Sequence, residues 1–434
     1  MSTKNIRWLL SELPELVNRS IITAEQQHAI TGYYHEKTEN RPNIALIAFS
    51  IFGSILVAAG IILLLAHNWS DLPRPVRTVL SFLPLVIGQG IGFYTLVRRG
   101  TSIAWREGIA SFILLATGSS IALISQTYHI QGELTSFLFT WMLLALPLVY
   151  VFGSTTAVVL FLAGAVSWAI ASAGSHSTPH AFWLLLAAII PVYLLKNRSG
   201  RHPKQTTIIG WCIALSCIAG VSVGCDSISE GYRAITFIAL FLILHFFGIL
   251  FPLGGTFWSN PFHNVGISGL AVTYLFLSYG DSWDGLSYQA TKTLGGLPGA
   301  SVVDWVIGVG FPLLAVVLLV VALRRKNLVS LGLAAGLPLA YLGFGFSDTT
   351  TGQAIFTTLF NCYVLAGGIA FLVSGIRAHV PATVNFGFAL VAAVIVLRFF
   401  DSNLSFVLRG VLFVVLGAGF LSTNIVLARR KVTS

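Results

Sequence analysis

Residues 44–66, "IALIAFSIFGSILVAAGIILLLA", contain no charged side chain and no proline. A helix rises 1.5 Å per residue, so a run of this length crosses the roughly 30 Å hydrocarbon core of a bilayer. Comparable runs recur near 77–97, 108–125, 134–152, 155–173, 181–195, 207–225, 233–251, 264–280, 303–323, 328–346, 353–375, 380–398 and 404–428. Together they predict an all-α integral membrane protein with about fourteen transmembrane helices. Only 9% of the chain is charged, where a soluble protein carries roughly a quarter. The bilayer is therefore the solvent for most of the sequence. The formal net charge of +10 then needs no nucleic acid to explain it, because cytoplasmic loops of membrane proteins concentrate Lys and Arg.

The placement of those charges orients the chain. With the N-terminus inside, the cytoplasmic side takes Lys4 to Arg41, then Arg98, Arg99 and Arg106, then Lys196 to Lys204, Arg324 to Lys326, Arg377 and Arg429 to Lys431. Acids fall mostly on the other side. An even number of spans with both termini cytoplasmic satisfies this bias, and one span more or less would put the Arg324 and Arg429 clusters on opposite faces.

Residues 1–43 are polar, lack the apolar core of a signal peptide, and read as a small cytoplasmic helical hairpin turning at Asn18-Arg19-Ser20. Thr23 followed by Gln26 has the spacing of a capping box. A unit this small cannot bury a core of its own, so it packs on the membrane region or on a protein partner. Residues 44–155 form a first membrane region and 156–434 a second. Gly53, Gly60, Gly88, Gly92, Gly367 and Gly368 suit close helix packing.

Chemistry has few places to reside. Three cysteines lie along one run and Cys362 in another, without the short spacings of a metal cluster,; neither metal nor cofactor is expected. Mid-span acids, the usual mark of ion coupling, are lacking. His245 is the one mid-span ionisable residue, and it reads as a hydrogen-bonded core histidine.

Polar groups gather instead at the outer ends of the runs. "AHNWSDLPRPVR" brings His67, Asn68, Trp69 and Arg74; "SQTYHIQGE" brings Gln126, Tyr128 and His129; "LRFFDSNLSFVLRG" brings Arg398, Asp401 and Arg409. Guanidinium groups on the side that excludes cations match a phosphate or carboxylate bidentately. They equally suit snorkelling and ion pairs, with Asp401 the nearest partner for both Arg398 and Arg409. The Gln126 run holds more donors and acceptors than a turn requires. It reads as a helix-breaking or re-entrant element at the outer mouth, with Gln126 and His129 facing inward. Trp69, Tyr128 and Trp283 fit the membrane interface or a sugar.

The stretches "AAGIILLLAHNWSDLPRPVR", "ISQTYHIQGE" and "RFFDSNLSFVLRGVLFVVLGAGFL" resemble bacterial membrane proteins catalogued as domain of unknown function 2157. The likeness is clearest over residues 1–155, with Asn68-Trp69 and the Gln126–Gly132 run its specific parts. The C-terminal half resembles the further multi-span region that accompanies that domain. The resemblance implies a bacterial inner-membrane protein with an envelope role, and carries no reaction with it. Three readings stay open. The first is a binder or transporter of an anionic lipid or lipid-linked glycan. The second is an envelope scaffold or sensor working through a protein partner at the N-terminal hairpin. The third is a glycan transferase with Asp71 or Asp304 as base, in which case two carboxylates or a His–acid pair must meet in space.

Overall fold

Helices joined by short turns make up the described structure, and no strand occurs among the described residues. The computed structural model describes residues 3–39, 44–67, 72–174, 180–200, 203–224, 230–251, 257–280, 282–283, 302–324, 328–346 and 349–401, with single positions between 407 and 418. Among these residues, nine helices are long and apolar enough to cross a membrane, and three shorter apolar helices accompany them. The protein is thus an all-helical, multi-pass membrane protein, as expected. The run 404–428 lies outside the continuously described residues.

The chain falls into two compact units, one of Met1–Gln131 with Leu144–Ala157, the other of Gly132–Leu143 with Val158–Ser434. The first opens with α1 (Thr3–Asn18) and α2 (Ala24–Glu39), which touch one another. The capping box forms: Thr23 N–H donates to Gln26 Oε1 at 3.0 Å, and Gln26 N–H to Thr23 Oγ1 at 3.2 Å. Three long helices follow, α3 (Ile44–His67), α4 (Arg74–Arg98) and α5 (Ile103–Tyr128). α5 is the axis of the unit. Both α3 and α4 pack along it, and its Ile109, Ile113, Leu114 and Ala116 are buried. Gly88 and Gly92 let α4 close on Phe112 and Ile113, whereas a side chain at Gly53 or Gly60 of α3 would meet nothing within 4 Å. Two of the four small residues in this unit therefore serve close packing and two do not.

Between α6 (Leu134–Phe152) and α7 (Thr155–Gly174) the chain reverses within Gly153-Ser154. Gly153 takes a left-handed φ of +53°, a conformation without penalty only for glycine.

The second unit contains α8 (Ala181–Ser199), α9 (Pro203–Gly224), α10 (Glu230–Leu250), α11 (Pro261–Leu277), α12 (Val302–Arg324), α13 (Leu328–Ala334), α14 (Gly336–Phe346), α15 (Thr350–Arg377) and α16 (Pro381–Asp401). α10 lies at its centre against α11 and α12, and α15 pairs with α16. The run 328–346, expected as one helix, is two. Pro338 has no N–H to give to the carbonyl of Ala334, which interrupts the ladder there. Tyrosines occupy the gap. Tyr274 Oη donates to the Leu333 carbonyl at 2.8 Å, and Gly336 N–H donates to Tyr363 Oη at 3.1 Å. Backbone groups freed in a bilayer must be satisfied by protein, so the break is sealed and not left open to a ligand.

Candidate functional site

The N-terminus of α4 and the C-terminus of α5 meet at one end of the first unit. Pro73 caps α4 in an extended conformation and Arg74 takes its first helical position, where proline-rich entries are favoured. Thr78 Oγ1 donates to the Arg74 carbonyl at 3.0 Å and lies 2.9 Å from Tyr128 Oη. One turn further, Ser120 Oγ donates to the Ser81 carbonyl at 2.7 Å. These two links bind the helices together.

α5 runs unbroken to Tyr128 and stops because His129 adopts the left-handed conformation, with φ 54° and ψ 38°. Its N–H returns to the Ser125 carbonyl, which is also the acceptor for Ile130 N–H at 2.9 Å. The polar run is a helix C-cap and short turn; it does not re-enter the membrane. Gln126, Tyr128 and His129 are exposed, and so is Arg74. The inward orientation expected for Gln126 and His129 does not occur, because Thr127 and Leu123 take the buried face of that turn.

The Thr78–Tyr128 contact thus gathers Arg74, Gln126, Tyr128 and His129 at one rim. Asn68, Trp69, Asp71 and Arg409 lie outside the described residues, as do the side chains of His67, Asp304 and Asp401.

Arg398 belongs to the second unit and has another task. Its Nε donates to Asn361 Oδ1 at 2.9 Å, a terminal nitrogen donates to the Ser278 carbonyl, and its guanidinium lies 5.6 Å from the Tyr279 ring centre. Asn361 Nδ2 donates to the same Ser278 carbonyl at 2.9 Å. Ser278 is the C-cap of α11, so a cation sits on the negative end of that helix and ties it to α15 and α16. Asn361, Ser278 and Tyr279 are partners that spacing along the sequence does not announce; the Asp401 side chain, the partner expected from the sequence, lies outside the described residues. Trp283 is fully buried against Phe344, Phe356 and Phe360, with Nε1–H donating to the Leu277 carbonyl at 2.9 Å. It faces neither a sugar nor the interface.

His245 is neither alone nor hydrogen-bonded. It is 1% exposed and stacks on His263 with ring centres 4.9 Å apart and planes 30° apart. Both of its ring nitrogens lack a hydrogen-bond partner among the described residues. Buried polar atoms left in this state cost about 1–3 kcal/mol. His245→Phe is therefore expected to melt at or above the native temperature in detergent. A lower melting temperature would show that the imidazole has a partner worth keeping. No cluster of three or more metal-binding side chains occurs among the described residues.

The residues that sequence reasoning misses are Arg106 and Glu107, at the opposite end of α5. Glu107 is 4% exposed and accepts from Ser154 Oγ at 2.5 Å, Thr155 N–H at 2.9 Å and Thr156 N–H at 2.8 Å. Arg106 Nε donates to the Phe152 carbonyl at 2.7 Å. Together they clasp the turn between α6 and α7. Their work is architectural.

With this geometry in place, comparison with known proteins gives one match. The family model described as "Predicted membrane protein (DUF2157)" matches residues 14–158, a stretch that runs from the end of α1 through α6 to the start of α7 and includes the clasp and the rim. No curated protein and no solved structure matches the chain.

Proposed function

We propose that the matched region, residues 14–158, binds the anionic head group of a membrane lipid or lipid-linked glycan at the rim where α4 begins and α5 ends. The observation that carries this reading is the 2.9 Å Thr78–Tyr128 contact, which joins the helix end that bears the exposed Arg74 to the one that bears exposed Gln126, Tyr128 and His129. Arg74 occupies the first turn of α4, where free backbone N–H groups and the helix dipole favour an anion. Its guanidinium offers a planar fork to phosphate, and Gln126, Tyr128 and His129 add hydrogen bonds that a glycan head group also accepts. In this reading the protein lies in a bacterial inner membrane with both termini in the cytoplasm. The rim then faces the periplasm, and the protein is a binder or transporter.

Arg74 is exposed, so Arg74→Ala is expected to leave thermal stability unchanged. A charge-assisted hydrogen bond contributes about 1.5–3 kcal/mol, so retention of an anionic lipid in native mass spectra falls roughly 10- to 100-fold in the variant. Equal retention by the variant and the native protein would defeat the reading.

A further inference from the structure

At its other end the same three-helix arrangement offers a different feature. α3 and α4 both lie against α5 and diverge from each other, which leaves a groove between them floored by α5. Its volume is about 710 Å³, within the range of ligand sites. Leu46, Gly53 and Val57 of α3, Ile87 and Ile91 of α4 and Phe112 of α5 line it.

The length of the groove is informative. From Leu46 to Val57 the wall of α3 covers twelve residues, about 16 Å of helix, which is half of a roughly 30 Å hydrocarbon core. The groove therefore matches the depth of one leaflet. Its two ends also differ in character. The deep end meets Leu83 and Phe112. The mouth meets Ser102 and Trp105, at the start of α5. Trp105 is packed edge-on against Tyr94 with ring centres 6.3 Å apart, and both rings are substantially exposed. Such aromatic pairs sit at head-group level.

Charge marks the same mouth. Arg98 follows Ile91 by seven residues, which places it on the same face of α4, and Arg99 comes next. Both are exposed, and neither side chain has a hydrogen bond or ion pair among the described residues. An apolar channel one leaflet deep, with free cations and an aromatic pair at its opening, is complementary to one class of molecule. We infer that the groove seats an acyl chain of an anionic glycerophospholipid from the leaflet at the Arg98 end, with the lipid phosphate held by Arg98 and Arg99. This site lies at the opposite end of α4 from the Arg74 rim, and neither depends on the other.

Gly53 provides the test. A Cβ there meets nothing within 4 Å, so a leucine fills the groove without disturbing its walls. Leucine is also the better helix former. The full-length protein carrying Arg74→Ala, so that the groove alone is read, would be purified and incubated separately with dioleoyl-phosphatidylglycerol and dioleoyl-phosphatidylcholine, and the retained lipid read by native mass spectrometry. With the groove otherwise native, this protein is expected to retain phosphatidylglycerol preferentially. Gly53→Leu lowers retention of both lipids about tenfold, the equivalent of losing two buried methylenes. The double substitution Arg98→Gln with Arg99→Gln removes the preference for phosphatidylglycerol. Gly90→Leu, at an open position of α4 outside the groove, changes neither. Retention by Gly53→Leu equal to that of the protein with the native groove overturns the inference. A benzophenone side chain at position 53 gives a second readout that does not depend on the leucine variant folding. A crosslink to phosphatidylglycerol supports the site; a crosslink to this chain or to a second copy means that protein covers the groove, and overturns it.

Discussion

Glu107→Leu is expected to prevent the protein from accumulating as a folded, monodisperse species in detergent. The first amides of a helix have no partner within the helix, and in a bilayer no water replaces one. At the start of α7 a single carboxylate does so, taking Thr155 N–H, Thr156 N–H and the Ser154 hydroxyl. The same Ser154 Oγ also accepts from Ala157 N–H at 3.2 Å, so the hydroxyl relays the cap one residue further. Arg106 does the converse at the end of α6, placing a cation on the Phe152 carbonyl. An anion at a helix start and a cation at a helix end are the two favourable arrangements with the helix dipoles, and two adjacent residues of α5 supply both. Leucine takes the carboxylate acceptor away from all three donors, and a buried donor that loses its acceptor costs about 1–3 kcal/mol. The Glu107→Gln variant keeps one acceptor and should recover part of the loss. Size-exclusion profiles and thermal melts of Glu107→Leu, Glu107→Gln and the native protein would check the order. A leucine variant with the native melt would mean that the α7 amides find other acceptors.

The clasp also shows where sequence reasoning stops. Hydropathy alone bounds the run 108–125, which leaves Glu107 one residue outside the span. Extended by five residues to the true helix start at Ile103, the run contains an acid on a membrane helix, the signal that marks a purposeful charge. The existence of helices is legible throughout, because in a bilayer each backbone group must be satisfied within its own segment. The Thr23–Gln26 box is legible because it is local. The sealed break near Ala335 carries its cause in Pro338, but whether that proline bends or divides the helix depends on Tyr274 and Tyr363, far away in sequence. Arg398 reads from sequence as a cation needing a partner. Its partners Ser278 and Asn361 come from two other helices, and no spacing along the chain announces them. His245 reads as solitary for the same reason, since His263 reaches it only through the crossing of α10 and α11. Among the candidate ligand contacts, Arg74, Gln126, Tyr128 and His129 do share a rim, but their exposure follows from which face of α5 is buried. Hydropathy alone does not fix that face when most of the helix is apolar.

That crossing supports a second severe outcome: Gly266→Leu is expected to unfold the second unit, although Gly53→Leu, the same change on another membrane helix, is tolerated. At Gly266 a Cβ would lie 2.5 Å from the His245 amide nitrogen and 2.6 Å from the Phe241 carbonyl oxygen. These are backbone atoms of α10, so no rotamer change relieves the clash and the helix itself must move. The contact is close from both sides, since a Cβ at Gly248 of α10 would strike the backbone of His263. α10 is the helix on which α11 and α12 both pack, and Ile238, Leu242 and Phe246 are buried along it. Separating α10 from α11 opens that core. It also parts the His245 and His263 rings, whose stacking at 4.9 Å exists only because glycines bring the backbones together. Overpacking a core ordinarily costs about 1–3 kcal/mol; a rigid backbone obstacle places this substitution at or above the upper end. Gly266→Ala meets the same atoms with less bulk and should fall between. Thermal melts of the three proteins, read beside Gly53→Leu, separate a helix surface that faces another backbone from one that faces lipid. If Gly266→Leu melts as the native protein does, α10 and α11 do not cross at this distance, and the histidine pair goes with them.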